Sequence, residues 1–542
     1  MKSLREVCRV LWRMSGPVRW RMVVTLLAGI VRIVCSLSFV WASKYLVDIA
    51  TGSSPDPLKP AIWLFISILA VQLAIVIFVN WWNGYTLVKS QNILRKEVFA
   101  HVLRSRWDGR ERFLSGDTVN RLEEDIRVIS DLLMDRIPGL FLTLLQLGAA
   151  SFYLLTLSPS LLWVLVVLMV AAVFGSKLFF RQLRELMAKI RQRDSEMQQL
   201  MQESLQHRVL ILTLTNVERV LDKFGWLQAD VEDNTRKRLN YNAVARGLMF
   251  LGFQAGHATA FLWGVFGIRA GTVTYGTMTA FLQLVGQVQR PIAEFGRQIP
   301  AFIQAITSVD RLMELLELEE DPVGREILLP DAPRIEANHI TFSYPGANEP
   351  TLKDFSCVFE AGAMTVIAGH TGAGKSTLIR MVLGLLKPQQ GQILVGGQPA
   401  GSALRGNFMY IPQGNSLLSG TIRSNLQMAD PSASDDRMFE VLDIAMAGFV
   451  KEDLPLGLDT VCGEIGSGLS EGQAQRIAIA RGLLRPGGVL ILDESTSALD
   501  PETEKMLLKN LQEHYHGKKT ILFISHREAV VSSADAVVQV KS

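Results

Sequence analysis

One stretch of the sequence combines three glycines with a lysine and a serine at a fixed spacing. It reads Gly369-His-Thr-Gly-Ala-Gly-Lys375-Ser376 and matches the pattern G-x-x-x-x-G-K-[ST]. In this pattern the glycines let backbone N–H groups converge on a phosphate, the lysine reaches the β- and γ-phosphates, and the serine hydroxyl ligates Mg²⁺. The sequence therefore predicts a site whose cofactors are ATP and Mg²⁺. Its predicted residues are Gly369, His370, Thr371, Gly372, Ala373, Gly374, Lys375, Ser376 and Thr377.

The segments around this loop have the composition that the pattern requires. An apolar, strand-like run, Met364–Ala368, precedes it, and a helix-like run, Thr377–Leu386, follows it. A second apolar run, Val489–Leu492, ends in Asp493-Glu494. A carboxylate at the end of a buried strand beside a phosphate loop can hold Mg²⁺ through water, and the next carboxylate can polarise the attacking water. We therefore predict that Asp493 is a metal ligand and that Glu494 is a catalytic residue.

A third motif, Leu469-Ser470-Glu471-Gly472-Gln473, lies between these two. It resembles the LSGGQ signature of ATP-binding cassette (ABC) proteins, and further marks of that family occur in the family's order. Tyr344 in FSYPG resembles the aromatic residue that stacks on adenine. Gln413 in IPQ resembles the glutamine that reaches Mg²⁺ and reports to the membrane domain, which implies a catalytic and metal-binding role.

The last part of the chain adds three marks and one departure. Glu464 in TVCGEIGSGLS resembles the loop glutamate of exporters that touches the membrane helices, and Ser497-Ala-Leu-Asp500 matches the loop that couples two ATP sites. His526 in ISHR resembles the histidine that contacts the γ-phosphate, so it is a predicted catalytic residue. The departure is Glu471, where the family usually has glycine. A carboxylate near phosphate is repulsive unless it points outward from the helix start, so either it has no effect or it weakens one site and indicates a heterodimer.

The first 300 residues have the composition of a membrane protein. Of the 542 residues, 49% are hydrophobic and only 20% are charged, and the apolar residues concentrate in this part. A membrane-spanning helix needs about 20 mostly apolar residues, and six segments qualify, of which the sixth is the most polar. The predicted spans are Met22–Trp41, Ala61–Trp82, Ile137–Leu157, Leu161–Phe180, Gly247–Ile268 and Tyr275–Phe295.

The distribution of charge predicts how these spans are oriented. The connections after spans 1, 3 and 5 are short, whereas Val88–Leu133 and Leu178–Asn240 are long, charged and helical in pattern. Short segments near Phe113–Val119 and Leu210–Val217 would form the tips of these two loops. The N-terminus is also basic, through Lys2, Arg5, Arg9, Arg13, Arg19 and Arg21. The positive-inside rule therefore places the N-terminus, both long loops and the C-terminal ATPase in the cytoplasm.

Several polar residues fall at membrane depth. Ionisable groups there usually face a bundle interior or a cavity, so Arg32 and His257 are candidates for a translocation pathway. A packing role or a misplaced span boundary is the alternative for both residues. Amides often bridge helices, which favours packing for the glutamines. These are Gln72, Gln146, Gln254, Gln283 and Gln287.

Charge and cysteine content exclude other classes of protein. The net charge of +3 argues against a nucleic-acid binder, and we expect no nucleic-acid partner. Cys8, Cys35, Cys357 and Cys462 are far apart and form no CxxC pair, which argues against a disulfide framework or a zinc site. No small-residue cleavage site follows the basic N-terminus, so we expect the first span to be retained.

The resemblance covers nearly the whole chain and implies a multidomain fold. We expect an all-α transmembrane domain of six helices, followed by an α/β P-loop ATPase, the ABC nucleotide-binding domain. The predicted segments are an N-terminal cytoplasmic amphipathic segment at 1–18, the transmembrane domain at 19–315, a linker at 316–334 and the cassette at 335–542. Leu4–Arg13 would lie on the inner membrane surface, although a disordered basic tail is the alternative.

A single cassette of this family does not complete an ATP site. The resemblance implies that Ser470, Gly472, Gln473 and Asp500 contribute to nucleotide sites shared with a second half-transporter, as a homodimer or a heterodimer. It also implies an ATP-driven exporter of a lipid-like or amphipathic solute in an inner or plasma membrane. The alternatives are an importer on the same scaffold, for example for a metal chelate, and an ATP-gated channel. Intact Glu494 and His526 argue against the channel.

Overall fold

The computed structural model describes residues 12, 14–107, 116–322, 324–329, 331–347, 349–370, 372–414, 416–463 and 468–540. The chain forms two compact units, the first comprising 1–99 and 116–316 and the second comprising 100–115 and 317–542. The sequence placed residues 100–115 in the membrane domain, whereas the structure groups them with the second unit. Thr371, Glu464, most of the predicted segment 1–18 and part of the tip near Phe113–Val119 lie outside the described residues.

The described part of the first unit is helical. A 3₁₀ turn, Gly16–Val18, precedes the first helix, and two π-helical turns, Arg121–Asp125 and Leu132–Arg136, join α3, α4 and α5. The helix bounds are α1 Arg19–Ala50, α2 Leu58–Arg104, α3 Gly116–Asn120, α4 Ile126–Asp131, α5 Ile137–Leu157, α6 Pro159–Lys177, α7 Phe180–Gln206, α8 Arg208–Thr213, α9 Val217–Arg269 and α10 Tyr275–Leu316. The last residues of α2 belong to the second unit.

Helices occur at all six predicted spans, but they differ in apolar length. Within the described residues, four are long and apolar enough to cross a membrane: α1, α2, the path that ends in α5, and α9. The fourth predicted span ends early, because α6 stops at Lys177 and α7 begins at Phe180; this bent pair would make a fifth crossing. The sixth predicted span, in α10, does not reach the same apolar length and stays a prediction.

The apolar residues of α10 face the interior of the first unit. Phe281, Leu284, Val285 and Val288 are buried in one cluster with residues of α1, α5, α6 and α9. Two glutamines of α10 bridge to neighbouring helices: the Gln287 amide donates to Ser36 Oγ at 3.0 Å, and the Gln289 amide donates to the Phe253 carbonyl at 3.2 Å. Because this helix buries its apolar side in protein, it does not need the uniformly apolar surface of a lipid-facing helix.

The base of the first cytoplasmic loop is tied to α10 by a buried carboxylate. Asp125, 1% exposed, ends the first π-helical turn. Its Oδ1 atom accepts a hydrogen bond from Ser308 Oγ at 2.8 Å and another from the Arg311 guanidinium. Both donors lie on α10, so a charged group that is out of contact with water joins two segments almost 190 residues apart.

The second unit contains two main β-sheets. Four parallel pairings build a five-stranded sheet in the order β11-β3-β10-β9-β6, and an antiparallel sheet has the order β2-β1-β4-β5. The strands are β1 Ile335–Phe342, β2 Leu352–Phe359, β3 Met364–Ala368, β4 Gln390–Val395, β5 Gln398–Pro399, β6 Phe408–Ile411, β7 Gly420–Thr421, β8 Val461–Cys462, β9 Val489–Asp493, β10 Thr520–Ile524 and β11 Ala536–Gln539.

Helices cover both faces of the parallel sheet, as parallel strands require. The helices are α11 Lys375–Val382, α12 Ile422–Gln427, α13 Asp435–Ile444, α14 Phe449–Glu452, α15 Glu471–Leu484, α16 Pro501–Tyr515 and α17 Glu528–Ser532. The strand predicted at Met364–Ala368 is confirmed. The helix predicted at Thr377–Leu386 was placed too far along the chain, because α11 begins at Lys375 and ends at Val382, before Gly384 at φ +64°.

We expect Asp125→Ala to destabilise the first unit. The substitution removes two hydrogen bonds to a charged acceptor, at a cost of about 2 kcal/mol. Thermal unfolding of the purified chain in detergent should show a Tm lower by a few degrees. The control is Glu314→Gln, which weakens the exposed Arg121–Glu314 ion pair and should change little. Equal effects of the two substitutions would contradict the structural role of Asp125.

Candidate functional site

The predicted site residues follow strands that end at one edge of the parallel sheet. The phosphate loop follows β3, Gln413 follows β6, Glu494 follows β9 and His526 follows β10. Because β3, β10, β9 and β6 are neighbours and parallel, their carboxyl ends meet. Ligands of open α/β sheets bind in the crevice at this edge. The topology therefore brings together residues that lie up to 157 positions apart in the chain.

The phosphate loop has a backbone that only glycine adopts readily. Gly374 lies at φ +95° immediately before α11, and a Cβ atom there would lie 3.1 Å from the Thr351 carbonyl oxygen. Lys375 is buried, and its Nζ donates to the carbonyl oxygens of Gly369 at 2.6 Å and His370 at 3.2 Å. The lysine thus crosses its own loop, where it would meet a bound phosphate chain.

Lys375 also contacts the predicted catalytic histidine. The distance from its Nζ to His526 Nε2 is 2.9 Å. Because an ammonium group only donates hydrogen bonds, His526 Nε2 must accept this one, which puts the imidazole proton on Nδ1. The two groups predicted to reach the terminal phosphates therefore lie side by side.

The predicted catalytic carboxylate and glutamine are also paired. Gln413 Nε2 donates to Glu494 Oε2 at 2.7 Å. Glu494 has φ +46°, a left-handed conformation that a glutamate rarely adopts, and its N–H donates to the Ile524 carbonyl at 3.1 Å. Strained residues cluster at functional sites. The backbone therefore holds the Glu494 carboxylate at the crevice, within reach of the strand that leads to His526.

Asp493 is buried, and only one of its two carboxylate oxygens has a hydrogen-bond partner among the described residues. Its side chain is 5% exposed, and Oδ2 accepts a hydrogen bond from the Tyr410 hydroxyl at 3.2 Å. Oδ1 is buried and has no hydrogen-bond partner among the described residues. Burial raises the pKa of Asp493 above its usual range, and the neighbouring Glu494 charge adds to the shift. An orphaned carboxylate oxygen is the hard ligand that Mg²⁺ prefers.

The Tyr344 ring lies beside the start of α11. Its hydroxyl is 3.1 Å from Thr377 Oγ1, accepts a hydrogen bond from Arg380 at 3.3 Å, and its ring packs edge-on against Phe342 with centroids 5.0 Å apart. The helix that begins at the phosphate loop therefore holds the predicted adenine-stacking residue.

The signature residues form a helix start instead of joining the phosphate loop. Ser470 caps α15, and a capping box joins it reciprocally to Gln473. Glu471 is the first helical residue and is exposed, where the helix dipole favours a negative charge. A Cβ atom at Gly472 would lie 3.0 Å from the Ala498 carbonyl oxygen. Within the described part of the chain, no hydrogen bond joins Ser470, Gly472 or Gln473 to the phosphate loop.

The loop that contains Asp500 is held by a residue that sequence reasoning missed. Asp500 itself caps α16 through a hydrogen bond from the Thr503 N–H at 3.0 Å. The Arg527 guanidinium donates to the carbonyls of Ser497 at 2.7 Å and Leu499 at 3.0 Å, and it pairs with buried Glu504 at 3.0 Å. Arg527 directly follows His526, so it ties this loop to the histidine. Its position directly after the predicted catalytic histidine was the feature of the sequence that could have pointed to Arg527.

Tyr410 and Arg380 were also missed. Tyr410 lies three residues before Gln413 on β6, and Arg380 lies on α11 five residues after Lys375. No group of three or more His, Cys, Asp and Glu side chains that could hold a metal occurs in the described ranges. A metal at this edge would therefore use single side chains together with the nucleotide.

The phosphate loop and the carboxylates beside it form a site of the nucleotide-binding type, and the first unit has helices long and apolar enough to cross a membrane. The comparisons with known proteins agree with both observations. Residues 22–292 match the ABC transporter transmembrane region, and residues 352–497 match the family described as ABC transporter. The chain therefore belongs to the ABC transporter family, as an exporter-type half-transporter with a helical transmembrane domain followed by an α/β nucleotide-binding domain. It is a multi-pass membrane protein whose cassette is of the ATP-binding type.

Individual relatives are distant but cover most of the chain. A probable multidrug resistance ABC transporter ATP-binding/permease protein of Bacillus subtilis, YheI, is 28% identical over 87% of this chain and 83% of its own. An ATP-dependent lipid A-core flippase of Chromobacterium violaceum is 26% identical over 95% of this chain and 90% of its own. The fold resembles that of a bacterial Atm1-family ABC exporter with ATP bound, with a TM-score of 0.77 at 23% identity, over 97% of this chain and 94% of that one.

We expect Arg527→Lys to loosen the loop at Ser497–Asp500. Lysine keeps the charge beside Glu504 but lacks the planar fork that reaches two carbonyls as well, at a cost of about 1–2 kcal/mol. The Tm should fall, whereas Arg437→Lys, at an exposed pair with Glu440, should leave it unchanged. Indistinguishable Tm values for the two variants would show that Arg527 does not hold the loop.

Proposed function

We propose that this chain is one half of a pump that uses ATP binding and hydrolysis to export a lipid-like or amphipathic solute. The assembly would lie in the inner or plasma membrane, with the N-terminus and the ATPase in the cytoplasm. The observation that carries the proposal is the hydrogen bond from Gln413 Nε2 to Glu494 Oε2, at 2.7 Å. It lies at the sheet edge where Lys375 and His526 also meet. Such a set of groups can hydrolyse a nucleotide as well as bind it.

Each residue would act through chemistry that its position allows. Lys375 and the backbone N–H groups of residues 369–377 would bind the phosphates, and Tyr344 would stack on adenine. Glu494 would polarise the attacking water, because it is a carboxylate at the crevice whose partner Gln413 can release it. His526 would donate a hydrogen bond to the γ-phosphate once its contact with Lys375 breaks and its Nε2 atom carries the imidazole proton. Thr371, which lies outside the described residues, stays a predicted nucleotide-binding residue.

The residues at this edge fit a Mg²⁺ ion. Ser376 follows Lys375 at the start of α11, Gln413 is exposed at the crevice, and Asp493 presents a buried oxygen that lacks a partner. These are the oxygen donors that the ion takes alongside nucleotide phosphates. When bound, the ion would neutralise charge on the phosphates. Ser376 and Gln413 would hold it directly, and Asp493 would hold it through water.

The signature motif supports a second chain. Ser470 and Glu471 are exposed at the start of a 14-residue helix, and no described contact joins them to the phosphate loop of their own chain. The first turn of a helix presents backbone N–H groups and a positive potential that suit an anion. We infer that Ser470, Gly472 and Gln473 meet the γ-phosphate bound by a partner cassette, and that Asp500 lies near this junction. Exposed Glu471 is compatible with a homodimer.

The second cytoplasmic loop supplies a surface through which cassettes could act on the spans. Its tip, the short helix α8 with its flanks, exposes several large apolar side chains, a feature typical of contact surfaces. They are Leu205, Val209, Leu210, Leu212 and Leu214. ATP favours closed cassettes because two chains bind its γ-phosphate only in that state. Closure would move such tips and reopen the spans on the far side.

The names of two relatives and two polar residues at membrane depth bear on the solute. The names of the Bacillus subtilis and Chromobacterium violaceum relatives, a multidrug transporter and a lipid A-core flippase, support a lipid-like cargo. Arg32 is half-buried without a hydrogen bond or ion pair to any described residue, and we propose it, with His257, as part of the pathway. An importer on the same scaffold would reverse the flux of a labelled lipid in proteoliposomes. An ATP-gated channel would pass ions without turnover.

We expect Glu494→Gln to abolish hydrolysis while leaving ATP binding intact. The amide cannot polarise water, so Mg²⁺-dependent ATPase activity of the chain alone in lipid nanodiscs should fall by about a hundredfold or more. ATP should instead stay bound between closed cassettes, detectable as nucleotide that remains on the variant through gel filtration. The matched control, Glu513→Gln at an exposed position of α16, should retain full activity.

The outcomes of this experiment separate the candidate assemblies. Wild-type activity that disappears in Glu494→Gln means that two copies of this chain suffice and that Glu471 is tolerated. A folded, ATP-binding wild-type chain without activity means that a different half-transporter completes the pump. Wild-type rates in Glu494→Gln would overturn the assignment of the catalytic carboxylate.

We expect Tyr410→Phe to shift the pH dependence of the ATPase. The Tyr410 hydrogen bond favours ionised Asp493, so its loss raises the pKa of this carboxyl further. Protonated Asp493 holds Mg²⁺ poorly, and the acid limb of the rate profile should therefore move to higher pH. The control is Tyr515→Phe, at a buried tyrosine on α16. An unmoved acid limb would show that Tyr410 does not tune Asp493.

A further inference from the structure

The end of the long helix α2 continues into a segment that belongs to the second unit. After Arg104 the chain becomes extended, and Ser105 forms an antiparallel bridge with Glu320 of the linker. Two backbone hydrogen bonds flank the bridge, from Arg106 N to Glu319 O at 2.7 Å and from Asp321 N to Arg104 O at 2.8 Å. Two segments that adjoin the transmembrane helices in sequence are therefore joined to each other beside the cassette.

This bridge delivers one aromatic side chain to the nucleotide-binding unit. Trp107 packs against the cluster of buried residues formed by β1, β2 and α11. The Arg380 guanidinium carbon lies 4.8 Å from the centroid of the Trp107 ring. A cation over an indole face is the strongest of the cation–aromatic pairs. The Trp107 ring therefore gives the Arg380 guanidinium a surface on which to stack.

Arg380 continues the contact to the predicted adenine-binding residue. Its Nη1 donates to the Tyr344 hydroxyl at 3.3 Å, and that hydroxyl is 3.1 Å from Thr377 Oγ1. Trp107 itself touches neither the phosphate loop nor the catalytic pair in the described contacts. A chain of contacts thus runs from Trp107 through Arg380 to Tyr344.

We propose that Trp107 is a positioning residue for the nucleotide site, acting through Arg380 to set the orientation of the Tyr344 ring. The proposal rests on the function above, in which Tyr344 stacks on the adenine of ATP. An arginine on an exposed helix face would sample many rotamers, and stacking on the indole selects the one that reaches the Tyr344 hydroxyl. Nucleotide affinity is thereby linked to the segment that leads from a transmembrane helix.

The first test compares Trp107→Ala with Trp107→Phe in the full chain in lipid nanodiscs. Loss of the indole should raise KM for ATP about three- to tenfold, with kcat changed less than twofold because Arg380, Glu494 and His526 remain. Phenylalanine keeps an aromatic face and should restore most of the affinity. The control is Leu103→Ala, at an exposed residue of the same helix end. Tm values confirm that each variant is folded.

The second test places the effect on the Tyr344 hydroxyl. In a Tyr344→Phe background the aromatic ring stays but the hydrogen bond from Arg380 is lost, so Trp107→Ala should raise KM no further. An equal rise in both backgrounds would overturn the proposed route, and an unchanged KM in Trp107→Ala would overturn the positioning role. Either of these two results would concern only the role of Trp107, because the wild-type chain would still hydrolyse ATP. The proposed function fails instead if Glu494→Gln hydrolyses ATP at the wild-type rate.

Discussion

Parallel pairing of β3, β10, β9 and β6 is the constraint on which the candidate site depends. Parallel strands place all their carboxyl ends at one edge, so the loop after each strand contributes to the same crevice. Their interior residues are fully buried, and this rigid core fixes the loops more closely than the loops could fix themselves. The sheet thus brings together the phosphate loop, Gln413, Glu494 and His526. The Lys375–His526 and Gln413–Glu494 contacts then join these loops to one another.

The part of this arrangement that is contiguous in sequence could be predicted. The phosphate loop and Asp493-Glu494 are short patterns whose chemistry follows from neighbouring residues, and the strand at Met364–Ala368 follows from an apolar run. Contacts between distant segments left no such pattern. Arg527, Tyr410 and Trp107 are ordinary residues in the sequence, and only the folded chain shows that they hold the loop, the carboxylate and the arginine beside them.

The helices of the first unit were predictable for a different reason. The prediction for this unit departs from the structure at different residues. Long apolar segments indicate spans by length alone, and a helix occurs at each of the six predicted spans. The polar α10 is the exception, because its apolar residues serve packing inside the unit. The sequence also placed residues 100–115 with the membrane helices. It could not show that Ser105 pairs with Glu320, since backbone pairing between distant extended segments depends little on side chains.

The left-handed backbone at Glu494 has an evolutionary consequence. A non-glycine residue at φ +46° costs about 1–2 kcal/mol relative to glycine, so the fold gives up stability to keep a carboxylate there. If Glu494 is the proposed catalytic carboxylate, selection for turnover opposes the gain in stability available from glycine or asparagine at this position. A copy of the chain released from that selection, for example one duplicated to serve as a non-hydrolysing partner, would lose this carboxylate early and become more stable as it did so.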